Sequence, residues 1–177
     1  MIAVQADSIT KETTSSINTS RCQAMLKPTY PVSLGVIIPA YNEIFTVREI
    51  IRRVYDALDD KFTRLQVIVV DDGSTDGTKD ELVSIAADNP KIELHRHEIN
   101  RGKGASIRTA LEHIDTDLVI IQDADLEYDP NDIPSLVKPL LAGEADIIIG
   151  SRVLPPYSVL SFKCRGEARS YRPRLVK

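Results

Sequence analysis

The residues best suited to chemistry are Asp123 and Asp125, two positions apart directly after the apolar run Leu118, Val119, Ile120, Ile121. The run reads as a buried strand, and strand alternation would point both carboxylates to one side, where they could hold a divalent cation between them. A hard cation flanked by carboxylates, with water-filled positions left over, is the counter-charge a diphosphate needs. Alone, Asp-x-Asp is a weak signal, since a solvated acidic loop has the same composition. Its weight comes from a second acidic strand end upstream, Asp71 and Asp72, and from the glycine-rich turn Asn100, Arg101, Gly102, Lys103, Gly104 between the two.

The elements that must position these groups follow from periodicity. A short apolar run, Leu34 to Ile38, is closed by Pro39, Ala40, Tyr41, Asn42 and Glu43. A helix follows with Val47, Ile50, Ile51, Val54 and Leu58 on one face, and Thr46 with Glu49 is spaced for a capping box. A strand at Gln66 to Val70 leads into the turn Asp71 to Gly77, and a second helix runs from about Thr78 to the stop at Asn89 and Pro90. A third strand, Ile92 to His95, precedes the glycine-rich turn. The helix after it carries Ile107, Ala110, Leu111 and Ile114 at the i, i+3, i+4, i+7 spacing. Beyond the Asp-x-Asp strand, Ile133, Leu136, Val137, Leu140 and Leu141 define a further helical face that Pro139 should kink. A last strand, Ala145 to Ile149, ends in Gly150, Ser151, Arg152. Five strands alternating with four helices predict a three-layer α/β sandwich with a mainly parallel sheet, which binds ligands at the carboxyl ends of its strands. All the candidate residues fall there.

Composition narrows the classes. At 177 residues, 42% hydrophobic and 27% charged, the chain has the make-up of one ordinary globular domain. The Ser- and Thr-rich residues 1–30 show no period and read as a disordered arm. Neither a membrane span nor a signal peptide is evident, so a cytoplasmic location is expected. Cys22 and Cys164 suggest neither a disulfide framework nor metal-ligand spacing. The net charge of -4 conceals an asymmetry. Lys163, Arg165, Arg169, Arg172, Arg174 and Lys177 face only Glu167 in the last stretch, and the remaining chain is correspondingly acidic. That acidic body argues against nucleic acid as a partner. The basic end reads first as a solvated tail, and otherwise as a peripheral contact to an anionic membrane surface.

Taken together, PAYNE (39–43), VVDDGSTDGT (69–78), NRGKG (100–104), QDADLE (122–127) and GSR (150–152) resemble the family 2 glycosyltransferases of GT-A fold. The likeness covers about residues 32–153 and is strongest to the dolichol-phosphate mannose synthase and polyprenyl-phosphate glucosyltransferase branch. It implies a Rossmann-like α/β/α donor-binding domain over residues 31–153 that takes a nucleotide diphosphate sugar, GDP- or UDP-linked, and transfers the sugar with inversion. It also implies Mg²⁺ or Mn²⁺ and an acceptor such as a polyprenyl phosphate at a membrane surface.

The same resemblance distributes roles. Pro39, Tyr41 and Glu43 line the nucleotide pocket, Tyr41 and Glu43 near base and ribose. Asp72 accepts hydrogen bonds from base or ribose, against the alternative of turn formation and helix capping. Lys103 touches the diphosphate or merely solvates its loop. Asp123 lies between ribose and metal beside Ala124, Asp125 is a direct metal ligand in the catalytic centre, and Glu127 completes the shell directly or through water. Arg152 offers its guanidinium to a phosphate, unless it is a surface arginine at a strand end. An alcohol acceptor would require a general base; a lipid phosphate is already ionised at neutral pH.

From Leu154 the sequence matches none of the acceptor-side pattern of the resembling family and offers no strand to pair with the sheet. Residues 154–177 therefore read as an atypical basic tail, and truncation or a shifted reading frame is the expectation. That leaves a rival reading, a non-catalytic nucleotide-sugar binding fragment. An aspartyl phosphohydrolase fits worse, because Glu127 stands where such enzymes want Thr or Val. An oxidoreductase fits worse still, for lack of G-x-G-x-x-G after the first strand.

Overall fold

The computed structural model describes residues 28–150 together with the segments 159–162 and 174–176. The elements in chain order are β1 (Tyr30–Ala40), α1 (Val47–Leu58), β2 (Phe62–Asp71), α2 (Thr78–Asp88), β3 (Ile92–Arg96), α3 (Lys103–His113), β4 (Leu118–Ile121), a 3-10 turn (Pro130–Asp132), α4 (Ile133–Leu141), β5 (Ile147–Gly150), β6 (Val159–Phe162) and β7 (Arg174–Val176). They build one sheet of order β3-β2-β1-β4-β7-β5-β6, parallel throughout except for the antiparallel β5/β6 pair. The predicted α/β/α architecture with a mainly parallel sheet is the one observed.

Strand alternation divides the core in two. Leu34, Val36 and Ile38 of β1, Val67 and Val69 of β2, and Leu118 and Ile120 of β4 pack with the buried faces of α1, α2 and α4. The residues of opposite parity, Ile37, Ile68, Val70 and Val119, meet Ala110, Ile107 and Ile114 on the other side, under α3. Each fully buried Leu, Ile or Val contributes about 1.5–3 kcal/mol relative to exposure, so the double-sided burial of β1, β2 and β4 is what holds the sheet. The direction of winding explains the placement of α3. The chain steps outward from β1 to β2 to β3 with α1 and α2 on one face, then returns to pair β4 with β1, and a right-handed crossover in the reverse direction puts its helix on the opposite face.

Several expectations are corrected. β1 and β2 start earlier than the apolar runs suggest, because Tyr30 pairs with Phe62 across a register shift between Tyr30 and Ser33 and their rings stack at 5.1 Å. Thr46 and Glu49 form no capping box. The Thr46 hydroxyl donates instead to the Glu43 carboxylate, 2.6 Å away, and Glu49 is drawn to Arg52 and Arg53. Leu111 and Leu141 do not complete their apolar faces: they are 40% and 38% exposed. The chain beyond Val153 does supply strands. β7 lies between β4 and β5, and β6 covers the outer side of β5, so the sheet has seven strands rather than five and β5 is no open edge. The N-terminal arm, Cys22 and Cys164 lie outside the described residues.

β1 passes so close to the loop entering β4 that Gly35 has no room for a side chain. A Cβ there would sit 2.7 Å from both Ile114 Cδ1 and Thr116 Oγ1. Overpacking of this kind costs about 1–3 kcal/mol. Gly35→Ala is expected to lower stability by that amount in urea unfolding with an unchanged m-value.

Candidate active site

Loops after β1, β2, β3 and β4 converge on a cleft of about 290 Å³ at the carboxyl end of the sheet, lined by Pro39, Ala40, Tyr41, Glu43, Asp72, Asn100, Gly102, Lys103, Ser106, Asp123, Ala124 and Asp125. The cleft opens where the strand order reverses, between β1 and β4, the switch point at which open parallel sheets bind ligands. Pro39, Tyr41, Glu43, Asp72, Lys103, Asp123, Ala124 and Asp125 are thus brought together as their sequence positions suggest. Glu127 is not among the lining residues, and Arg152 lies outside the described residues.

The loops are laced by side-chain to backbone hydrogen bonds. The Ser74 hydroxyl accepts from Asn42 N–H at 3.0 Å, Asn42 Oδ1 from Thr75 N–H at 2.9 Å, and the Thr78 hydroxyl from Glu43 N–H at 2.8 Å. Asp76 accepts from both the N–H and the hydroxyl of Thr78 and from Ile44 N–H. Asp71 accepts from Ser74 N–H and lies 3.2 Å from the Arg96 guanidinium. Asp71, Ser74 and Asp76 thus act as turn residues, while α2 begins at the N-cap Gly77 with no side-chain cap hydrogen bond. They fix the β1–α1 loop against the β2–α2 turn and leave Tyr41 half exposed at the cleft.

Asp72 does more than face a ligand. Its buried Oδ1 accepts from His97 Nδ1 at 2.6 Å and from Arg101 N–H at 3.0 Å, and Oδ2 accepts from Gly102 N–H at 2.7 Å. These bonds occupy three of the roughly four acceptor positions of a carboxylate, so a single position on Oδ2 remains for a ligand donor. His97 is itself buried, with Nε2 2.9 Å from the Thr109 hydroxyl on α3. Burial pushes the Asp72 carboxyl upward, but the His97 hydrogen bond and the two backbone N–H groups outweigh it and hold the group below the usual carboxylate range. Gly73 completes the contact between the two loops. It has φ +74°, and a Cβ there would meet the backbone of Ile99 and Asn100 at 2.6 and 2.7 Å.

Asp123 and Asp125 come together by a different route from the one their spacing suggests. β4 ends at Ile121, and both carboxylates sit in the turn beyond it, outside strand alternation. Leu126 adopts φ +64°, an uncommon conformation for a bulky side chain, while packing against the core. Anchoring this leucine inward turns Asp125 outward. The buried Gln122 closes the turn at both ends by donating through Nε2 to the carbonyls of Asp123 and Tyr128, each 3.2 Å away. Asp125 Oδ1 accepts from Glu127 N–H at 3.1 Å, so Glu127 contributes its backbone to the turn.

Opposite the acidic turn stands the first turn of α3. Gly102, with φ +86°, caps it, and the Lys103 ammonium is ion-paired with Asp123. The Ser106 hydroxyl in the next turn is buried without a hydrogen-bond partner. A helix N-terminus carries partial positive charge and unpaired N–H groups, so this wall suits an anion. Ser106 is a cleft residue that sequence reasoning missed, because a serine at an inward helical position reads as core. Gln122 was missed as a positioning residue for lack of any local signal.

The fold and this cleft, an acidic turn facing a helix N-terminus at the switch point, are of the GT-A class. Comparison with known proteins takes the assignment further: residues 35–174 match the description "Glycosyl transferase family 2", and the chain belongs to that family. The match runs past residue 153, through β6 and as far as the first residue of β7. The chain is 36% identical over 129 residues to the undecaprenyl-phosphate 4-deoxy-4-formamido-L-arabinose transferase of Pseudomonas syringae pv. syringae, covering 71% of this chain and 37% of that protein. Among solved structures it is similar to a mannosyltransferase from Pyrobaculum calidifontis in complex with GDP-Man and Mn²⁺ (31% identity, TM-score 0.52, 68% of this chain and 36% of that one). It is also similar to the glucosyl-3-phosphoglycerate synthase of Mycobacterium tuberculosis in complex with Mn²⁺, UDP and phosphoglyceric acid (28% identity, TM-score 0.55, 69% and 44%). The chain spans little more than a third of the curated relative's length.

Two outcomes follow from the loop geometry. Asp72 has a depressed folded-state pKa, so its stabilisation is present above the unfolded value of about 3.9 and is lost as pH falls through the folded value. In Asp72→Asn the fall of the melting temperature with acidification below about pH 4 should be shallower than in the parent, and amide exchange at Arg101 and Gly102 should accelerate at neutral pH. Gln122→Leu strips two carbonyls of their donor and should destabilise by about 1–3 kcal/mol, with exchange protection lost between residues 123 and 128 rather than across the sheet.

Proposed function

We propose that this domain binds a nucleotide diphosphate sugar in the β1–β4 cleft and transfers the sugar, with inversion, to an acceptor, with a polyprenyl phosphate as the favoured class. The observation that carries the reading is the convergence of Asp123 and Asp125 with Lys103 and the first turn of α3 in one cleft. A nucleotide sugar needs both walls: a cation-holding acidic turn and an anion-holding helix start.

Asp123 and Asp125 fit a divalent cation, because both line the cleft, both offer hard oxygen ligands, and Asp123 already attracts a cationic group in the Lys103 ammonium. When bound, Mg²⁺ or Mn²⁺ would act as a Lewis acid toward the departing nucleoside diphosphate. The comparison structures with Mn²⁺ and GDP- or UDP-linked ligands support a divalent metal without choosing between the two ions. The remaining steps belong to the chain. Tyr41 offers a half-exposed aromatic face to the base. Glu43, oriented by the Thr46 hydroxyl, and the remaining acceptor position of Asp72 suit ribose hydroxyls or base N–H groups. Lys103 and the Ser106 hydroxyl serve the diphosphate, and Arg152 is proposed as a further phosphate contact. A lipid phosphate acceptor arrives ionised, so the protein has to position and screen it and needs no general base. The undecaprenyl-phosphate relatives support this acceptor class. No helix among the described residues is long and apolar enough to cross a membrane.

Calorimetric titration with GDP-mannose and UDP-glucose, with and without Mn²⁺, tests the reading. Metal-dependent binding of one of them, weakened at least about tenfold (1.4 kcal/mol) in Asp125→Asn, is the expected result. Absence of binding to both by a chain with an intact circular dichroism spectrum would overturn it. Binding without turnover on any lipid phosphate would leave a donor-binding module in place of a transferase.

A further inference from the structure

Away from the cleft, one point on the α3 side of the sheet gathers three metal-ligating groups. Glu93 and His95 stand two apart on the edge strand β3, and His113 is the last residue of α3. One ligand atom from each lies within 4.8 Å of the other two, and this is the only such trio of His, Cys, Asp or Glu among the described residues. The Asp123, Asp125 and Glu127 carboxylates form no comparable trio.

The local geometry is that of converging lone pairs. His95 Nε2 is 2.8 Å and His113 Nδ1 3.7 Å from the same oxygen, Glu93 Oε1, and the two imidazole rings stack with centroids 4.0 Å apart. A metal ion would satisfy all three atoms at once, since ligands of a tetrahedral zinc at about 2.0–2.1 Å lie roughly 3.3 Å from one another. The second carboxylate oxygen is already held: Gln66 Nε2 donates to Glu93 Oε2 at 3.3 Å and to the His113 carbonyl at 3.0 Å. Its Oε1 accepts from Asp115 N–H, so one β2 amide fixes both the carboxylate and the end of α3. Such outer contacts orient ligands in metal sites.

We propose that Glu93, His95 and His113 bind a borderline transition-metal ion of the Zn²⁺ class, separate from the hard-cation chemistry of the cleft. Two imidazoles and one carboxylate favour Zn²⁺, Ni²⁺ or Cu²⁺ over Mg²⁺ or Ca²⁺, and the exposed side leaves a coordination position open to water or a small anion. The site sits at the far end of the helix whose first two turns carry Lys103 and Ser106, so the bound ion would tie α3 to β3.

The test uses the full chain with Cys22→Ser and Cys164→Ser, so that no thiolate competes. Equilibrium dialysis should find one Zn²⁺ per chain, and Co²⁺ should give the visible spectrum of a low-coordinate N/O site. His113→Ala, at a half-exposed position that leaves the core intact, and Glu93→Gln should each weaken binding at least about tenfold, and Gln66→Leu by about tenfold. Asp125→Asn should leave Zn²⁺ binding unchanged. On adding Zn²⁺, the ring signals of His95 and His113 should shift while those of His97, the third histidine of the chain, stay in place. No zinc retained by the parent chain, or equal retention by His113→Ala and Glu93→Gln, would overturn the proposal.

Discussion

The site depends on one buried carboxylate. Asp72 sits at the end of β2 and gathers an imidazole and two backbone N–H groups from the loop that leads into α3. Without it, the buried His97 imidazole would lose its acceptor, a deficit of about 1–3 kcal/mol, Arg101 N–H would lose this partner, and Gly102 N–H would keep only Asn100 Oδ1. The consequence is positional. Asp72 sets where α3 begins, and hence where Lys103 meets Asp123 across the cleft. His97 carries the constraint one step further by bonding the Thr109 hydroxyl inside α3. A residue that resembles a pure ligand-binding group is therefore also the fastening of one cleft wall.

The opposite wall is held by different means. The acidic turn has no helix cap and no ladder to rely on, and its shape comes from an inward leucine at positive φ and from a glutamine amide shared between two carbonyls. Backbone strain at such a position typically costs about 1–3 kcal/mol and persists only where its surroundings over-determine it. Here the core contact of Leu126 and the Gln122 bonds supply that determination. The result is a stiff turn that places two carboxylates at the cleft without making either of them part of the sheet.

The fold was legible wherever local pattern and burial agree. The continuous apolar runs of β1 and β2 and the face of α1 follow from which side chains are apolar, and the loop positions of the motifs follow from where those patterns stop. What escaped reading depends on partners distant in sequence. Nothing near His97 announces that it will find Asp72, and nothing in Thr46 shows that its hydroxyl will turn to the Glu43 carboxylate and away from the Glu49 N–H. Asp123 and Asp125 were placed in the right cleft for the wrong reason, because residue type is local and turn geometry is not. β6 and β7 are four and three residues long, too short for a period to declare them, and they exist through pairing with strands already formed.

That last pairing bears on how the molecule comes into being. β7 is synthesised after β6, yet it lies between β4 and β5, two strands made long before it. On a ribosome the β3-β2-β1-β4 half and its cleft can take shape while the slot beside β4 still waits for its occupant. Until residues 174–176 emerge, β4 presents a bare row of backbone donors and acceptors to the cell. The window in which the nascent chain can pair with the wrong strand is therefore set by translation speed over the final third of the sheet.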